Sequence, residues 1–162
     1  MAWIKRRCMA VEGSTIVNRP IEEIFDCVAS ARFIQQVISP SWLQKNAGTP
    51  PRQLYQLTEG AMGVGTKFRQ DVGASDRPLE VTVEVITYQR PTTFAFELTR
   101  GLNVTSFKWT FKPVSSGTRV TVKAEARRQT GWGIVLRPIL SLVAPRGKIS
   151  EQKLRQYLED RY

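Results

Sequence analysis

The sequence predicts an α+β fold in which a curved antiparallel sheet of six to seven strands carries two short helices and one long C-terminal helix. Three observations predict it. From Leu79 to Arg127 apolar and polar residues alternate, and a two-residue period gives each strand one covered face and one wet face. From Trp132 to Tyr162 the apolar residues recur instead at Val135, Leu136, Ile139, Leu140, Leu142, Val143, Ile149, Leu154, Tyr157 and Leu158, a period near ~3.6 that marks one buried helical face. Near the start, Asn18-Arg19-Pro20-Ile21-Glu22-Glu23 announces a helix. Proline loses nothing in a first turn, where its N–H would lack a partner, and the two glutamates complement the positive end of the helix dipole.

In chain order, Met9 to Val17 mixes β-branched and small residues and reads as a first strand. The helix that follows buries Ile21, Ile24, Phe25 and Val28. A second runs from Arg32 to Val37 and is stopped by Ser39-Pro40. Trp42 to Pro51 is loop-like, Leu54 to Thr58 is a short strand, and Glu59 to Thr66 is a glycine-rich turn into the strand Lys67–Val72. After a turn at Gly73–Pro78 comes a meander. Leu79–Tyr88 sets Val81, Val83 and Val85 against Glu80, Thr82 and Glu84. Gln89–Thr92 turns the chain, and Thr93–Arg100 puts Phe94, Phe96 and Leu98 on one side. Thr105–Lys112 sets Phe107, Trp109 and Phe111 against Lys108, Thr110 and Lys112. Past the turn at Ser115-Ser116-Gly117, Arg119–Arg127 sets Val120, Val122 and Ala124 against Arg119, Thr121, Lys123 and Glu125. A helix over the 28 residues from Gly133 to Asp160 would run about 42 Å at ~1.5 Å per residue. In a chain this size the face of an extended sheet is the surface best able to cover it. Its middle, with Ala144, Gly147 and Ser150, lacks bulk.

Composition sets the class. A chain of 162 residues, 41% apolar and 23% charged, fits one domain spanning 1–162 with a single core. Cys8 and Cys27 are expected as reduced core thiols, because no apolar stretch follows Met1–Arg7 as an export signal would require. The longest apolar run, from Gly131 to Ala144, is broken by Arg137 and Pro138 and falls short of the roughly 20 residues of a membrane span. The expectation is a soluble, cytoplasmic protein. Net charge is +10, and the segment Lys108–Lys148 holds nine basic residues against the single acid Glu125. Such a surface either attracts RNA, anionic lipid or an acidic partner, or serves only solubility.

The chain has no histidine. That removes the usual general base, every Ser-His-Asp or Cys-His arrangement, and the commonest neutral metal ligand. No metal and no cofactor is expected. The glycines at 60, 63 and 65 run G-x-x-G-x-G with Gly-Thr-Lys at the end, which fits neither a Walker loop nor a dinucleotide fingerprint. Hairpin geometry accounts for them.

Four stretches carry a family resemblance: Asn18-Arg-Pro-Ile-Glu-Glu-Ile-Phe at the first helix, Gly63-Val-Gly-Thr-Lys-Phe entering a strand, Val85-Ile-Thr-Tyr-Gln-Arg-Pro at a strand exit, and Trp109-Thr-Phe-Lys-Pro-Val-Ser-Ser-Gly-Thr-Arg-Val at the last hairpin. In order and spacing the chain resembles the START/Bet v 1-like (SRPBCC) superfamily, most closely its polyketide cyclase/dehydrase-like branch. The resemblance implies a helix-grip fold: a curved sheet gripping the last helix around an apolar cavity. It implies no single activity, since folds of this kind host lipid carriers, hormone receptors and cyclases.

Candidate site residues follow from the alternation. Phe68, Val83, Val85, Phe94, Phe96, Phe107, Trp109 and Phe111 project from four strands towards the last helix, which contributes Leu136, Leu140 and Val143. Taken singly, each ring reads better as filled core than as a cavity wall. Taken together, and opposed to a helix without bulk at its centre, they read as the wall of a small-molecule cavity. Tyr88, Glu97, Arg100, Gln70 and Tyr55 are candidates for its polar groups. Three functions stay open: a non-catalytic carrier or sensor of a lipid, quinone or polyketide-like compound; a cyclase or dehydratase using Glu97, Tyr88 or Arg100; and a protein meeting RNA or an anionic membrane through Lys108, Lys112, Arg119, Lys123 and Arg127. The absence of interleaved exposed aromatics weakens the RNA option. Pro138 suits a first helical turn, whereas Pro145 with Gly147 marks a kink, a break or the hinge of a gate.

Overall fold

The computed structural model describes residues 9–38, 54–72, 79–101, 103–126, 143–144 and 148–149. Their elements are β1 (Met9–Val17), α1 (Ile21–Val28), α2 (Ala31–Ile38), β2 (Tyr55–Gln56), β3 (Lys67–Val72), β4 (Leu79–Gln89), β5 (Thr93–Arg100), β6 (Asn103–Val114), β7 (Gly117–Ala126), β8 (Val143–Ala144) and β9 (Lys148–Ile149). Every alternating segment of the sequence is a strand, because each has an apolar face to bury and a polar face to leave in water. β2 to β7 each pair antiparallel with the next, and β1 returns to pair with β7, so the curved sheet is ordered β1-β7-β6-β5-β4-β3-β2.

One register irregularity has a large consequence. β4 pairs with β5 as Val85 to Phe96, then as Thr87 to Ala95, so β4 carries an extra residue at Ile86. Such a bulge bends the strand and shifts its phase by one. Val81, Val83 and Val85 face inward before it, Ile86 is 40% exposed, and Tyr88 re-enters the inner face opposite Phe94.

The two helices cover one end of that inner face. Pro20 stands at the N-cap of α1, one position earlier than a first-turn proline, with Glu22 and Glu23 in the first turn. Ser30 joins the helices: its hydroxyl donates to the Cys27 carbonyl at 2.7 Å and accepts from the Phe33 N–H at 3.2 Å. It thereby caps the start of α2 while holding the end of α1. Ile24, Phe25, Cys27 and Val28 of α1 and Phe33, Ile34, Val37 and Ile38 of α2 are buried against the sheet. Cys27 is a free thiol in this core. Asp26, on the wet side of α1, receives the Arg90 guanidinium in two bonds of 2.9 Å, linking the helix to the β4–β5 turn.

At the β6–β7 turn Gly117 has φ +134°, and a Cβ there would run into the Val17 carbonyl oxygen and lie 2.7 Å from the Asn18 Cα. Only glycine fits this passage of one backbone past another. Thr118 seals the same corner by donating to the Arg19 carbonyl at 2.8 Å.

The helix expected over Gly133–Asp160 lies outside the described residues except at β8 and β9. There the backbone is extended, with Val143 paired to Ile149 and Ala144 to Lys148, and β9 lies against β1. Extended backbone at these four residues departs from the helix expected there, while Pro145 and Gly147, and with them the choice among kink, break and gate, lie outside the described residues. The Trp132–Ala144 gate lies otherwise outside the described residues. Among the described residues, no helix is long and apolar enough to cross a membrane.

Candidate ligand-binding site

The inner face of the sheet is built from cross-strand rows. At the end under the helices, Tyr88, Phe94, Trp109 and Val122 lie side by side, flanked by Phe111 and Val120. The middle row runs Val85, Phe96, Phe107 and Ala124, and the next Phe68, Val83, Leu98 and Thr105. The far row is more polar, with Gln70, Val81, Arg100 and Asn103 in register.

Two groups of rings occupy this surface. Phe25, fully buried, meets Tyr88 at 5.3 Å, Phe94 at 6.4 Å and Phe111 at 5.6 Å between ring centroids, all close to edge-on. Phe33 meets Trp109 edge-on at 4.9 Å. These are packed aromatic pairs of the favourable geometry, so Tyr88, Phe94, Trp109 and Phe111 take part in a filled core at this end. The second group lies towards the middle: Phe96 and Phe107 stack at 5.0 Å with planes 27° apart, next to Phe68, Val83 and Val85. Phe94 joins the two groups, meeting Phe96 at 5.9 Å between ring centroids.

The polar candidates divide by strand parity. Gln70 is fully buried on the inner face, and Tyr88 and Arg100 are half-buried at inner-face positions. Two expectations are corrected. Glu97 pairs with Glu84 and Ser106, one residue out of phase with Phe96 and Leu98, so it belongs to the outer face. Tyr55 is 55% exposed on the edge strand β2, because its partner Arg69 is an outer residue while the next pair, Gln56 with Phe68, reaches inward only through Phe68. Leu136, Leu140 and Arg127 lie outside the described residues, as does the side chain of Val143. Thr15 and Thr105 are inner-face polar residues that the sequence reading did not single out, although the same two-residue period marks both.

Among the described residues, Thr15 Oγ1 and Trp109 Nε1 are buried polar atoms on this face without a hydrogen-bond partner. Every described carboxylate side chain points elsewhere: Glu12, Glu22, Glu23, Asp26, Glu59, Glu80 and Glu84 are exposed, and Glu97 and Glu125 follow the outer phase of β5 and β7. Among the described residues no group of three His, Cys, Asp or Glu side chains is gathered that could hold a metal.

The outer face separates its charges. Over β3 and β4, Lys67 pairs with Glu84 at 3.8 Å and Arg69 with Glu80 at 3.5 Å. Over β6 and β7 the register opposes like with like, Lys108 to Lys123 and Lys112 to Arg119. Among the described residues there, Lys123 alone has a carboxylate partner in an ion pair, Glu125 at 2.7 Å, whose hydrogen bond and charge raise the Lys123 pKa, and Glu12 stands across from that lysine on β1.

Comparison with solved structures places this architecture. The chain is similar to Ara h 8.0201 with a TM-score of 0.62 at 13% identity, over 95% of this chain and 97% of that one. It is similar to an uncharacterised protein from Rhizobium leguminosarum with a TM-score of 0.60 at 13% identity, over 95% and 96% of the two chains. DynU16, described as a putative protein in the dynemicin biosynthetic locus, matches with a TM-score of 0.57 at 18% identity, over 93% of this chain and 47% of that one. At these identities the likeness establishes the Bet v 1-like helix-grip fold alone. No curated protein matches the sequence. The family model described as polyketide cyclase / dehydrase and lipid transport matches residues 9–159, and the chain, its sheet rows and helix pair included, belongs to that family.

Proposed function

We propose that this protein binds a hydrophobic small molecule against the inner face of its sheet, as a carrier or sensor and without catalysis. The observation that carries this reading is the unbroken apolar surface of that face, a run of buried rings and valines across the four strands β3 to β6. Phe25 and Phe33 pack on its end, while the Phe96–Phe107 stack, Phe68 and Val83 form a second apolar floor beyond them. An apolar floor with a few convergent polar groups, here Gln70, Thr105 and Arg100, suits a lipid, quinone or polyketide-like ligand. Leu136, Leu140 and Val143 are assigned to the opposite wall. The described carboxylates all lie off the inner face, which speaks against a cyclase or dehydratase working through one. For that alternative, Tyr88 is the remaining acid or base. Native mass spectrometry of the freshly purified protein tests the reading: an apolar adduct is expected. A clean apo mass together with no binding of a fluorescent fatty acid would overturn it.

A second reading rests on the outer face. Like charges set directly opposite each other destabilise a sheet, so Lys108 with Lys123 and Lys112 with Arg119 are placed against stability. An anionic lipid surface would relieve that repulsion, at roughly 1 kcal/mol per basic residue near it, and would bring an apolar ligand to its donor membrane. Co-sedimentation with vesicles of 30% phosphatidylserine is expected for the native chain and lost in the K108E/K112E variant. Equal binding to purely zwitterionic vesicles would refute this use of the face.

A further inference from the structure

Trp109 lies at the meeting of the two ring groups, with Phe107 and Phe111 as its inner-face neighbours along β6 and Phe94 and Val122 across it. It is 2% exposed, and its indole N–H has no acceptor among the described residues. Native structures pair the large majority of such buried donors, and a phenylalanine would supply similar apolar bulk without leaving one orphaned. Thr15 Oγ1 is the other unpartnered atom on this face, but a hydroxyl both donates and accepts and so selects little. An indole N–H only donates. From this geometry we infer that the ligand is an oxygenated hydrophobe, and that a carbonyl-type oxygen on it accepts a hydrogen bond from Trp109 Nε1.

The inference rests on the proposed binding of an apolar ligand at the inner face and narrows its chemistry. Hydrocarbon surface spreads over the Phe96–Phe107 stack, and the oxygen lies at the border with the packed end. Phe33 packs edge-on against the indole at 4.9 Å between ring centroids. A plain hydrocarbon chain would leave the donor unpaired, whereas a ketone, quinone or ester would satisfy it. Trp109 is thus a specificity residue that sorts oxygenated from unoxygenated apolar molecules.

The test uses two probes of nearly equal shape, 2-acetylnaphthalene and 2-isopropylnaphthalene, titrated against the full chain by displacement of 8-anilinonaphthalene-1-sulfonate. Trp109→Phe keeps an aromatic ring, though a smaller one, and removes the donor; the apolar probe reads the effect of the lost volume. Its affinity for 2-acetylnaphthalene is expected to fall about 5-fold, the scale of one net hydrogen bond, with affinity for 2-isopropylnaphthalene unchanged. A parallel loss for both probes, or a loss for neither, overturns the inference and leaves the binding site standing. Failure of both probes to bind the native chain removes the site and the inference together, and binding of 2-isopropylnaphthalene alone overturns the inference. If Trp109→Phe does not fold, the indole N–H resonance of Trp109 in native, 15N-labelled protein decides. A downfield shift with the acetyl probe alone supports the contact, and an equal response to both probes refutes it.

Discussion

Truncating Phe25 measures how far the core depends on the α1 end of the sheet. The side chain is fully buried and has edge-on contacts with Tyr88, Phe94 and Phe111. Phe→Ala changes in cores cost roughly 3–5 kcal/mol. The upper part of that range applies here: three ring pairs of about 0.5–1.5 kcal/mol each are lost, and the hole left between α1 and a rigid sheet cannot close. The expected loss for Phe25→Ala is therefore about 4–5 kcal/mol. That is a large share of the ~5–15 kcal/mol that stabilises a typical domain. For a chain of this size it corresponds to a fall in Tm of about 10–18 °C. Urea denaturation followed by circular dichroism reads the loss as a lowered midpoint with an unchanged slope. Ile86→Thr, at the exposed bulge position, is the control and is expected to stay within about 0.5 kcal/mol of native. A loss below about 2 kcal/mol for Phe25→Ala would refute the claim that the ring is the keystone of a filled end.

The β6–β7 turn and the charged outer face are as open to test. Gly117→Ala places a Cβ against the Val17 carbonyl and the Asn18 Cα in a backbone conformation only glycine adopts readily; a loss of about 3 kcal/mol or more is expected, and a thermal shift under 2 °C would contradict the close approach. The raised Lys123 pKa yields a signed pH dependence. Because Glu125 lifts it above the ordinary 10.5, the stability it contributes is fully present below that pH and is lost as pH climbs through the higher folded value. The stability gap between native protein and Glu125→Gln should hold constant from pH 7 to 9 and narrow only above about 10.5; narrowing between pH 7 and 9 would exclude this pair as its source. Arg90 is likewise raised by its bond to Asp26, in a range so alkaline that Asp26→Asn is expected to show no pH-dependent difference from native between pH 6 and 9.

Much of the architecture was readable because its signals are local. A strand with one wet face shows as alternation, as at β5, and β1, β3 and β5 have the bounds that local composition, turn residues and alternation mark. The basic outer residues Lys108, Lys112, Arg119 and Lys123 were legible for the same reason, since parity along β6 and β7 is unbroken. Tyr88 was assigned inward correctly but for no reason visible in the pattern: counted in strict twos from Val81 it would face out, and the bulge at Ile86 reverses it. Glu97 shows the opposite failure. Its polarity drew it into the candidate site although the phase of Phe94, Phe96 and Leu98 already placed it outside. The Ser30 bridge between helices depends on a turn geometry that composition does not express.

By itself the sequence determined the strand periodicity, the helix start at Pro20, the lack of histidine chemistry and the family's motifs, all of which depend on residues near one another along the chain. Only the tertiary structure decided what packs on each ring. Phe94 and Phe96 are indistinguishable in pattern, yet Phe25, roughly seventy residues upstream, packs directly on Phe94, while Phe96 stacks on Phe107 from the next strand. The orphaned N–H of Trp109 belongs to the same class of facts. Whether a donor finds an acceptor is set by what the fold brings within about 3 Å of it, and no spacing along the chain records that.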